Sequence, residues 1–176
     1  MKSLFLLLML VGLILSAGCD DKQVVKIGDN APAISINDIY GEHISLSQLK
    51  GKVVIIYFWT NSCCGHGVKQ LEPFYNRYKK AGIEILAINE MDSTKSVEAY
   101  AKDNALTFTI LKDEHSILLR DYFAIGFPTI FILDKNGVIR EKINGNISIE
   151  KLQTLVEKQL KIQKIMETDY EKTHPR

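Results

Sequence analysis

Long apolar runs alternate along the chain with segments in which apolar residues recur at helical spacing. "KVVIIYFW" (Lys52–Trp59) and "IEILAIN" (Ile83–Asn89) are rich in β-branched and aromatic residues. Such runs are typical of strands buried on both faces of a sheet. "FTIL" (Phe108–Leu111) predicts a shorter strand. "TIFILD" and "VIREKI" flank "KNG", and the Asn136-Gly137 pair in this segment predicts a β-hairpin.

Four helices are predicted between and after these strands, because apolar residues three and four positions apart share one helix face. Ser93 is the expected N-cap of the second helix. The four helices carry Val68, Leu71, Phe74/Tyr75 and Tyr78; Val97 and Tyr100/Ala101; Ile117, Leu118 and Tyr122; and Ile149, Leu152, Leu155/Val156 and Leu160. Strand–helix–strand followed by helix–hairpin–helix predicts an α/β fold with helices on both faces of one sheet.

The N-terminus has the pattern of an export signal. Lys2 precedes an apolar stretch from Leu4 to Leu15, which is shorter than the roughly 20 residues a membrane-spanning helix needs. "LSAGC" resembles the end of a bacterial lipoprotein signal, in which Cys19 is lipidated and becomes the new N-terminus. An ordinary cleaved signal and an uncleaved anchor are the alternatives. The expected organisation is a signal over residues 1–18, a tether over 19–27, a domain over 28–162 and a charged tail over 163–176.

Composition and charge limit the classes of protein to which the chain can belong. The chain has 46% hydrophobic and 24% charged residues with a formal net charge of +1, which fits a soluble domain with a real core. The sequence contains no basic run of the kind that would indicate nucleic-acid binding. If Cys19 carries lipid, only Cys63 and Cys64 remain for chemistry, and they would lie outside the cytoplasm, where disulfides persist.

The segment "TNSCCGHG" is the candidate site. Cys63 follows a buried strand and opens a helix, where unpaired backbone N–H groups and the helix dipole favour the thiolate that attacks disulfides. Cys64 is its immediate neighbour. Adjacent Cα atoms are about 3.8 Å apart, whereas disulfides prefer about 4.4–6.8 Å. A Cys63–Cys64 disulfide would therefore be strained and easily reduced.

Two longer segments resemble a known family. "GDNAPAISINDIYGEHISLSQLKGKVVIIYFW" and "YFAIGFPTIFILDKNGVI" are similar to the two signatures of TlpA/ResA-type membrane-anchored thiol-disulfide oxidoreductases and their AhpC/TSA redoxin relatives. The shared features are Gly28, Ala31-Pro32, Gly41, "LSQLKGK", Phe58-Trp59, Gly126, Pro128, Thr129, Asp134 and Gly137. The similarity runs from about Gly28 to Leu160. It implies a thioredoxin-like fold with a central mixed β-sheet.

The resemblance also implies roles for individual residues. The nucleophile lies four residues after Trp59, at Cys63, and the resolving cysteine would fall at His66, so CC-x-H replaces C-x-x-C. Cys64 or an external thiol would then complete the exchange. Phe127, Pro128 and Thr129 match the family's cis-proline loop, whose backbone pairs with a substrate strand.

Two departures from the family pattern affect the site. Pro73 lies seven residues after His66 rather than five, which permits a shift of register at His66. His66 would stabilise the thiolate, act as an acid or base, or be a solvated residue of the first helical turn. Tyr57 occupies the place, two residues before Trp59, where thioredoxins often bury an acid.

The leading hypothesis is an exported, membrane-tethered thiol-disulfide oxidoreductase that uses no cofactor. Its expected partners are the thiols or disulfides of exported proteins such as apocytochrome c, and a membrane or periplasmic redox partner. A thiol peroxidase is an alternative, because "TNSC" gives T-x-x-C, although Ile56 replaces the proline of peroxiredoxins. A Cu(I) chaperone would use Cys63, Cys64 and His66, with His115 as a distant ligand. A redox-inactive interaction domain is the remaining alternative.

Overall fold

A five-stranded mixed sheet forms the centre of the computed structural model, which describes residues 24–174. Its strands are β3 (Val53–Trp59), β4 (Ile83–Asn89), β5 (Thr109–Lys112), β6 (Thr129–Leu133) and β7 (Ile139–Asn144). Their order in the sheet is β5-β4-β3-β6-β7. β3, β4 and β5 are parallel to one another, β6 is antiparallel to β3, and β7 is antiparallel to β6, so the predicted mixed sheet is confirmed. A separate antiparallel pair, β1 (Ser35–Asn37) and β2 (His43–Ser45), precedes them.

Four α-helices pack on the sheet, at the positions that the apolar spacing predicts. They are α1 (Asn61–Tyr78), α2 (Thr94–Asp103), α3 (Ile117–Asp121) and α4 (Ile149–Thr173). Ser93 caps α2 through a hydrogen bond from the backbone N–H of Ser96. α4 continues well beyond its apolar stretch, so the segment predicted as a charged tail is helical as far as Thr173. Short 3₁₀ turns cover Leu46–Leu49 and Lys79–Ala81.

Alternate side chains of the central strands divide the core into two layers. We call the layer under α1, α2 and α4 the site face; β3 contributes Val53, Ile55, Tyr57 and Trp59 to it. The opposite layer, which we call the distal face, holds Val54, Ile56 and Phe58 of β3 together with Leu118 of α3. Every residue of β3 is buried, and complete burial of one large aliphatic side chain contributes about 1.5–3 kcal/mol.

The sheet brings the two segments of the candidate site to one edge. Trp59 at the end of β3 pairs with Asn89 at the end of β4. Phe58 pairs with Thr129, the first residue of antiparallel β6. The turn that follows β3 and the Pro128 loop that precedes β6 therefore lie side by side. Ligand crevices in open α/β sheets form at this carboxyl edge.

The predicted export signal, Cys19 and most of the tether lie outside the described residues. Within residues 24–174, no helix combines the length and the apolar character needed to cross a membrane.

Candidate active site

The turn after β3 is fixed by polar groups that cap the start of α1. Thr60 is the N-cap, with extended backbone, and its side chain accepts a hydrogen bond from the backbone N–H of Cys63 at 3.4 Å. The backbone N–H of Asn61 donates to Asp92 Oδ2 at 2.7 Å, and Asn89 donates to the same oxygen at 2.9 Å. These bonds satisfy helix-start donors that would otherwise be unpaired. Cys63 is thereby held in the first turn of α1.

The two thiols occupy different environments although they are neighbours in sequence. Cys63 is exposed and Cys64 is buried. The Cys64 thiol donates a hydrogen bond to Cys63 Sγ, and the two sulfurs are 2.9 Å apart. Burial, followed by the hydrogen bond to Cys63, raises the pKa of Cys64 to about 12. At neutral pH Cys64 is consequently a protonated donor that points at its exposed neighbour.

The Pro128 loop supplies a backbone acceptor on the other side of Cys63. Cys63 Sγ lies 3.5 Å from the Phe127 carbonyl oxygen, to which its thiol donates. The Phe127–Pro128 peptide bond is cis, the conformation that the family resemblance implies. The Thr129 side chain is fully buried and donates to the Gly126 carbonyl at 2.6 Å. Phe127 packs against both core layers, so the loop is anchored at both of its ends.

Two glycines allow two tyrosines to approach the first turns of α1. The Tyr100 hydroxyl donates to the Gly65 carbonyl, and a Cβ on Gly65 would lie 3.2 Å from the Tyr100 ring. A Cβ on Gly67 would lie only 2.6 Å from the Tyr57 hydroxyl oxygen. A side chain at position 67 would displace the Tyr57 hydroxyl, and one at position 65 would press on the Tyr100 ring, so both glycines of "CCGHG" suit this close packing. Sequence reasoning did not assign them, although their placement on either side of His66 was a visible signal.

Trp59 acts through its packing rather than through its polar atom. The side chain is fully buried, and its indole N–H has no hydrogen-bond partner among residues 24–174. Its ring lies 5.3 Å from the Tyr100 ring, measured between centroids. Trp59 thus helps to place the tyrosine that bonds the helix backbone at Gly65.

A cavity of about 180 Å³ opens beside the thiols, and we call it the thiol cavity. Tyr57, Cys63, Cys64 and His66 line it together with residues from α4 and from the loop before α4: Asn146, Ile147, Ile149 and Leu152. The structure therefore brings Cys63, Cys64 and His66 to one place. His66 is exposed, and its Nε2 lies 3.0 Å from Gln70 Nε2.

The structure brings together only some of the residues that a Cu(I) site would use. Within residues 24–174, no three His, Cys, Asp or Glu side chains are grouped so that they could hold a metal ion. His115 lines a different cavity, with Asp38 and Thr94, and not the thiol cavity.

A buried carboxyl that the sequence analysis did not identify lies at the same edge of the sheet. Glu90 directly follows β4 and is 5% exposed. Burial and the neighbouring Asp113 charge raise the pKa of Glu90 to about 8. The Asp113 carboxylate is held by the backbone N–H groups of Ile117 and Leu119, each at 2.9 Å. The visible signal was a glutamate that extends a buried strand.

Comparison with known proteins identifies the family. The sequence profile of the AhpC/TSA family matches residues 27–142. The chain belongs to the AhpC/TSA family. The thiol-disulfide oxidoreductase ResA of Geobacillus kaustophilus is 34% identical over 139 residues, which cover 78% of this chain and 80% of the relative.

Solved structures of similar proteins share the fold of this AhpC/TSA member. One is from Chlorobium tepidum and is described as a thiol:disulfide interchange protein DsbE. It has a TM-score of 0.72 and 26% identity, and covers 77% of this chain and 99% of its own. A thiol:disulfide interchange protein from Bacteroides sp. has a TM-score of 0.68 and 26% sequence identity. The match covers 78% of this chain and 91% of the Bacteroides chain. The predicted thioredoxin-like fold and the predicted enzyme class, thiol-disulfide oxidoreductase, are confirmed.

Proposed function

We propose that this AhpC/TSA member is an exported, membrane-tethered oxidoreductase that exchanges thiols and disulfides through Cys63. Its substrates would be exported proteins, with apocytochrome c as one class, and a membrane or periplasmic partner would restore its redox state. The observation that carries the proposal is the position of Cys63. It is exposed at a helix start, 2.9 Å from the Cys64 thiol and 3.5 Å from the Phe127 carbonyl.

The first step follows from that position. The Cys63 thiolate attacks one sulfur of a substrate disulfide, forms a mixed disulfide and releases the other substrate sulfur as a thiolate. The thiol of Cys64 donates to Cys63 Sγ and so stabilises the attacking charge. The Phe127 carbonyl faces Cys63, where it can accept a backbone N–H of the substrate segment that carries the disulfide.

The second step is assigned to an external thiol rather than to Cys64. Burial and the hydrogen bond to Cys63 raise the pKa of Cys64, so this thiol keeps its proton at pH 7 and is a poor attacking group. The two cysteines also lie within one helix, where adjacent Cα atoms about 3.8 Å apart disfavour a disulfide. A thiolate of the redox partner attacks Cys63 Sγ in the mixed disulfide and releases the substrate with both of its sulfurs reduced. A second thiolate of the partner then attacks the partner sulfur that is bound to Cys63, which regenerates the Cys63 thiolate and leaves the disulfide on the partner.

An exposed apolar side chain on the Pro128 loop suits protein substrates. Ile125, two residues before Phe127, is 86% exposed. A single exposed side chain is ordinary on a protein surface, but this one is carried by the anchored loop that faces Cys63. An extended substrate segment at the loop would cover it.

The matched serine variants test the exchange step. Cys64→Ser is expected to form mixed disulfides with a model protein disulfide, because Cys63 remains and the serine hydroxyl replaces the donor. Cys63→Ser is expected to form none. Mass measurement of trapped adducts checks both variants. Adduct formation by Cys63→Ser at the wild-type rate contradicts the proposal.

The export and tether are supported by the apolar stretch from Leu4 to Leu15 and by the "LSAGC" sequence that ends at Cys19. Several acyl chains on Cys19 would anchor the domain firmly, since each buried CH₂ contributes about 0.8 kcal/mol. Mass spectrometry of the membrane fraction is expected to find a mature N-terminus at lipidated Cys19. An intact Met1 end, or an unmodified Cys19, rules out the lipoprotein assignment.

A further inference from the structure

Tyr57 and Gly67 form a contact that the exchange mechanism described above does not use. A Cβ on Gly67 would lie 2.6 Å from the Tyr57 hydroxyl oxygen, a distance that real side chains do not tolerate. The phenol oxygen therefore occupies the place on α1 where a side chain at position 67 would begin. Its hydroxyl reaches this place only because residue 67 is glycine.

This place is next to both thiols. Residues three and four apart on a helix are neighbours on one face, with Cβ atoms about 5–6 Å apart. Position 67 is three residues from Cys64 and four from Cys63, so the Tyr57 hydroxyl lies within one turn of both cysteines on their own face of α1. The same three side chains line the thiol cavity.

We propose that the Tyr57 hydroxyl donates a hydrogen bond to the Cys63 thiolate, in the place where related folds often bury an acid. The inference deepens the proposed exchange function and rests on it. With the Cys64 thiol as the first donor to Cys63, the phenol is a second donor to the same sulfur. The thiolate is stabilised and the reduced state is favoured.

The surroundings of Tyr57 keep its hydroxyl protonated. Burial, followed by the charges of Cys64 and Cys63, raises the pKa of Tyr57 well above its usual value. A phenol in this state donates a hydrogen bond and keeps its proton. A buried carboxylate, by contrast, can act as a base and take up a proton. The other ionisable groups around it are His66 on α1 and Tyr100 on α2, while α4 and the preceding loop contribute only Asn146, Ile147, Ile149 and Leu152.

The test measures how fast iodoacetamide alkylates Cys63 in the reduced full chain between pH 5 and 10. Tyr57→Phe removes the hydroxyl and keeps the ring. Its alkylation at pH 6 is expected to be about fivefold slower than in the wild type, because the loss of a hydrogen bond to the thiolate lowers the ionised fraction, while the less stabilised thiolate is a somewhat better nucleophile. At pH 10 the two rates are expected to converge, because the thiolate then forms without assistance.

Gly67→Ala provides a second variant, since it retains the hydroxyl but displaces it, and the same shift of the pH profile is expected. Tyr75→Phe is the matched control. Tyr75 also has a buried hydroxyl hydrogen bond, to Glu84 at 2.9 Å, but it is not among the residues around the thiol cavity. Its profile is expected to match that of the wild type.

Two results overturn the inference: profiles of Tyr57→Phe and Gly67→Ala that superimpose on the wild type, or rates reduced equally at every pH, which indicate a merely structural role. Failure of the proposed function has a different signature. In that case wild-type Cys63 is alkylated with the expected profile but forms no mixed disulfide with any protein disulfide.

Discussion

The two faces of the sheet each bury an acidic group at the same end of the central strands, and the two groups have different neighbours. Cys64 on the site face lies against a second thiol and near two tyrosines. Glu90 follows Ile88 on the distal face and lies near Asp113. Burial raises the pKa of both, to about 12 for Cys64 and about 8 for Glu90.

Because their neighbours differ, the two buried groups should affect different properties: Cys64 the reactivity of the thiol site, and Glu90 the free energy of unfolding. Cys64 keeps its proton throughout the physiological range and serves as a donor to the reacting sulfur. Glu90, with a pKa raised to about 8, is not among the residues that line the thiol cavity. Protonation of the site face should therefore control thiol reactivity, while protonation of the distal face should control the free energy of unfolding. Substitutions at four positions test this separation.

Cys63→Ser should have the largest effect. It removes the attacking sulfur, so disulfide exchange with a small dithiol reagent is expected to fall at least 100-fold. Because Cys63 is exposed, the free energy of unfolding should change by no more than about 0.5 kcal/mol. Exchange kinetics and a denaturation curve check the two expectations. A large loss of stability would show that Cys63 belongs to the packed core.

Glu90→Gln should alter stability as a function of pH. With a pKa raised from 4.5 to about 8, folded Glu90 holds a proton that the unfolded chain loses, so the free energy of unfolding falls as pH rises from 4.5 to 8. The neutral amide has no such dependence. Between pH 5 and pH 8 the variant is expected to gain about 3–4 kcal/mol of stability relative to the wild type.

Denaturation curves at the two pH values measure this difference, and thiol alkylation serves as the control. A changed alkylation profile in Glu90→Gln would contradict the separation between the two faces.

Cys64→Ala compared with Cys64→Ser isolates the donor on the site face. Alanine removes the hydrogen bond to Cys63 Sγ, whereas serine retains a donor. Alkylation of Cys63 at pH 6 should be about threefold to fivefold slower in the alanine variant and closer to the wild type in the serine variant. Equal rates in the two variants would mean that Cys64 contributes volume rather than a hydrogen bond.

Tyr122→Phe should have the smallest effect and no redox effect. Tyr122 is fully buried on the distal face, and its hydroxyl donates to the Pro32 carbonyl at 2.7 Å. Loss of this bond is expected to cost about 1 kcal/mol of unfolding free energy. Tyr57→Phe and Tyr122→Phe each remove one buried tyrosine hydroxyl, the first on the site face and the second on the distal face, so their thiol reaction rates can be compared directly. A slower thiol reaction in Tyr122→Phe would count against the comparison.

The sequence predicted the elements whose signals are local. The apolar runs of β3 and β4 predicted both strands to within one residue. β1 and β2 were not predicted, because "SIN" and "HIS" are short and carry little apolar pattern. The continuation of α4 to Thr173 was also missed, since lysine, glutamine and glutamate extend a helix without adding an apolar stripe.

At the candidate site, too, the sequence predicted the features that depend on neighbouring residues and missed those that depend on contacts between distant segments. The strand that ends at Trp59 placed Cys63 at a helix start, because both features lie within a few residues of each other. The contact between Tyr100 and Gly65 joins positions 35 residues apart. Neither it nor the approach of Tyr57 to Gly67 follows from local pattern, since each depends on how α1 packs against the sheet and α2.

The central claim is that Cys63 carries the disulfide while Cys64 remains a protonated donor. The most direct measurement follows the reduced full chain after addition of glutathione disulfide, with peptide mass mapping over time. The account predicts one glutathione on Cys63, stable until an external thiol is added, in both the wild type and Cys64→Ser. A first adduct on Cys64, or spontaneous loss of the wild-type adduct with formation of a Cys63–Cys64 disulfide, would contradict it.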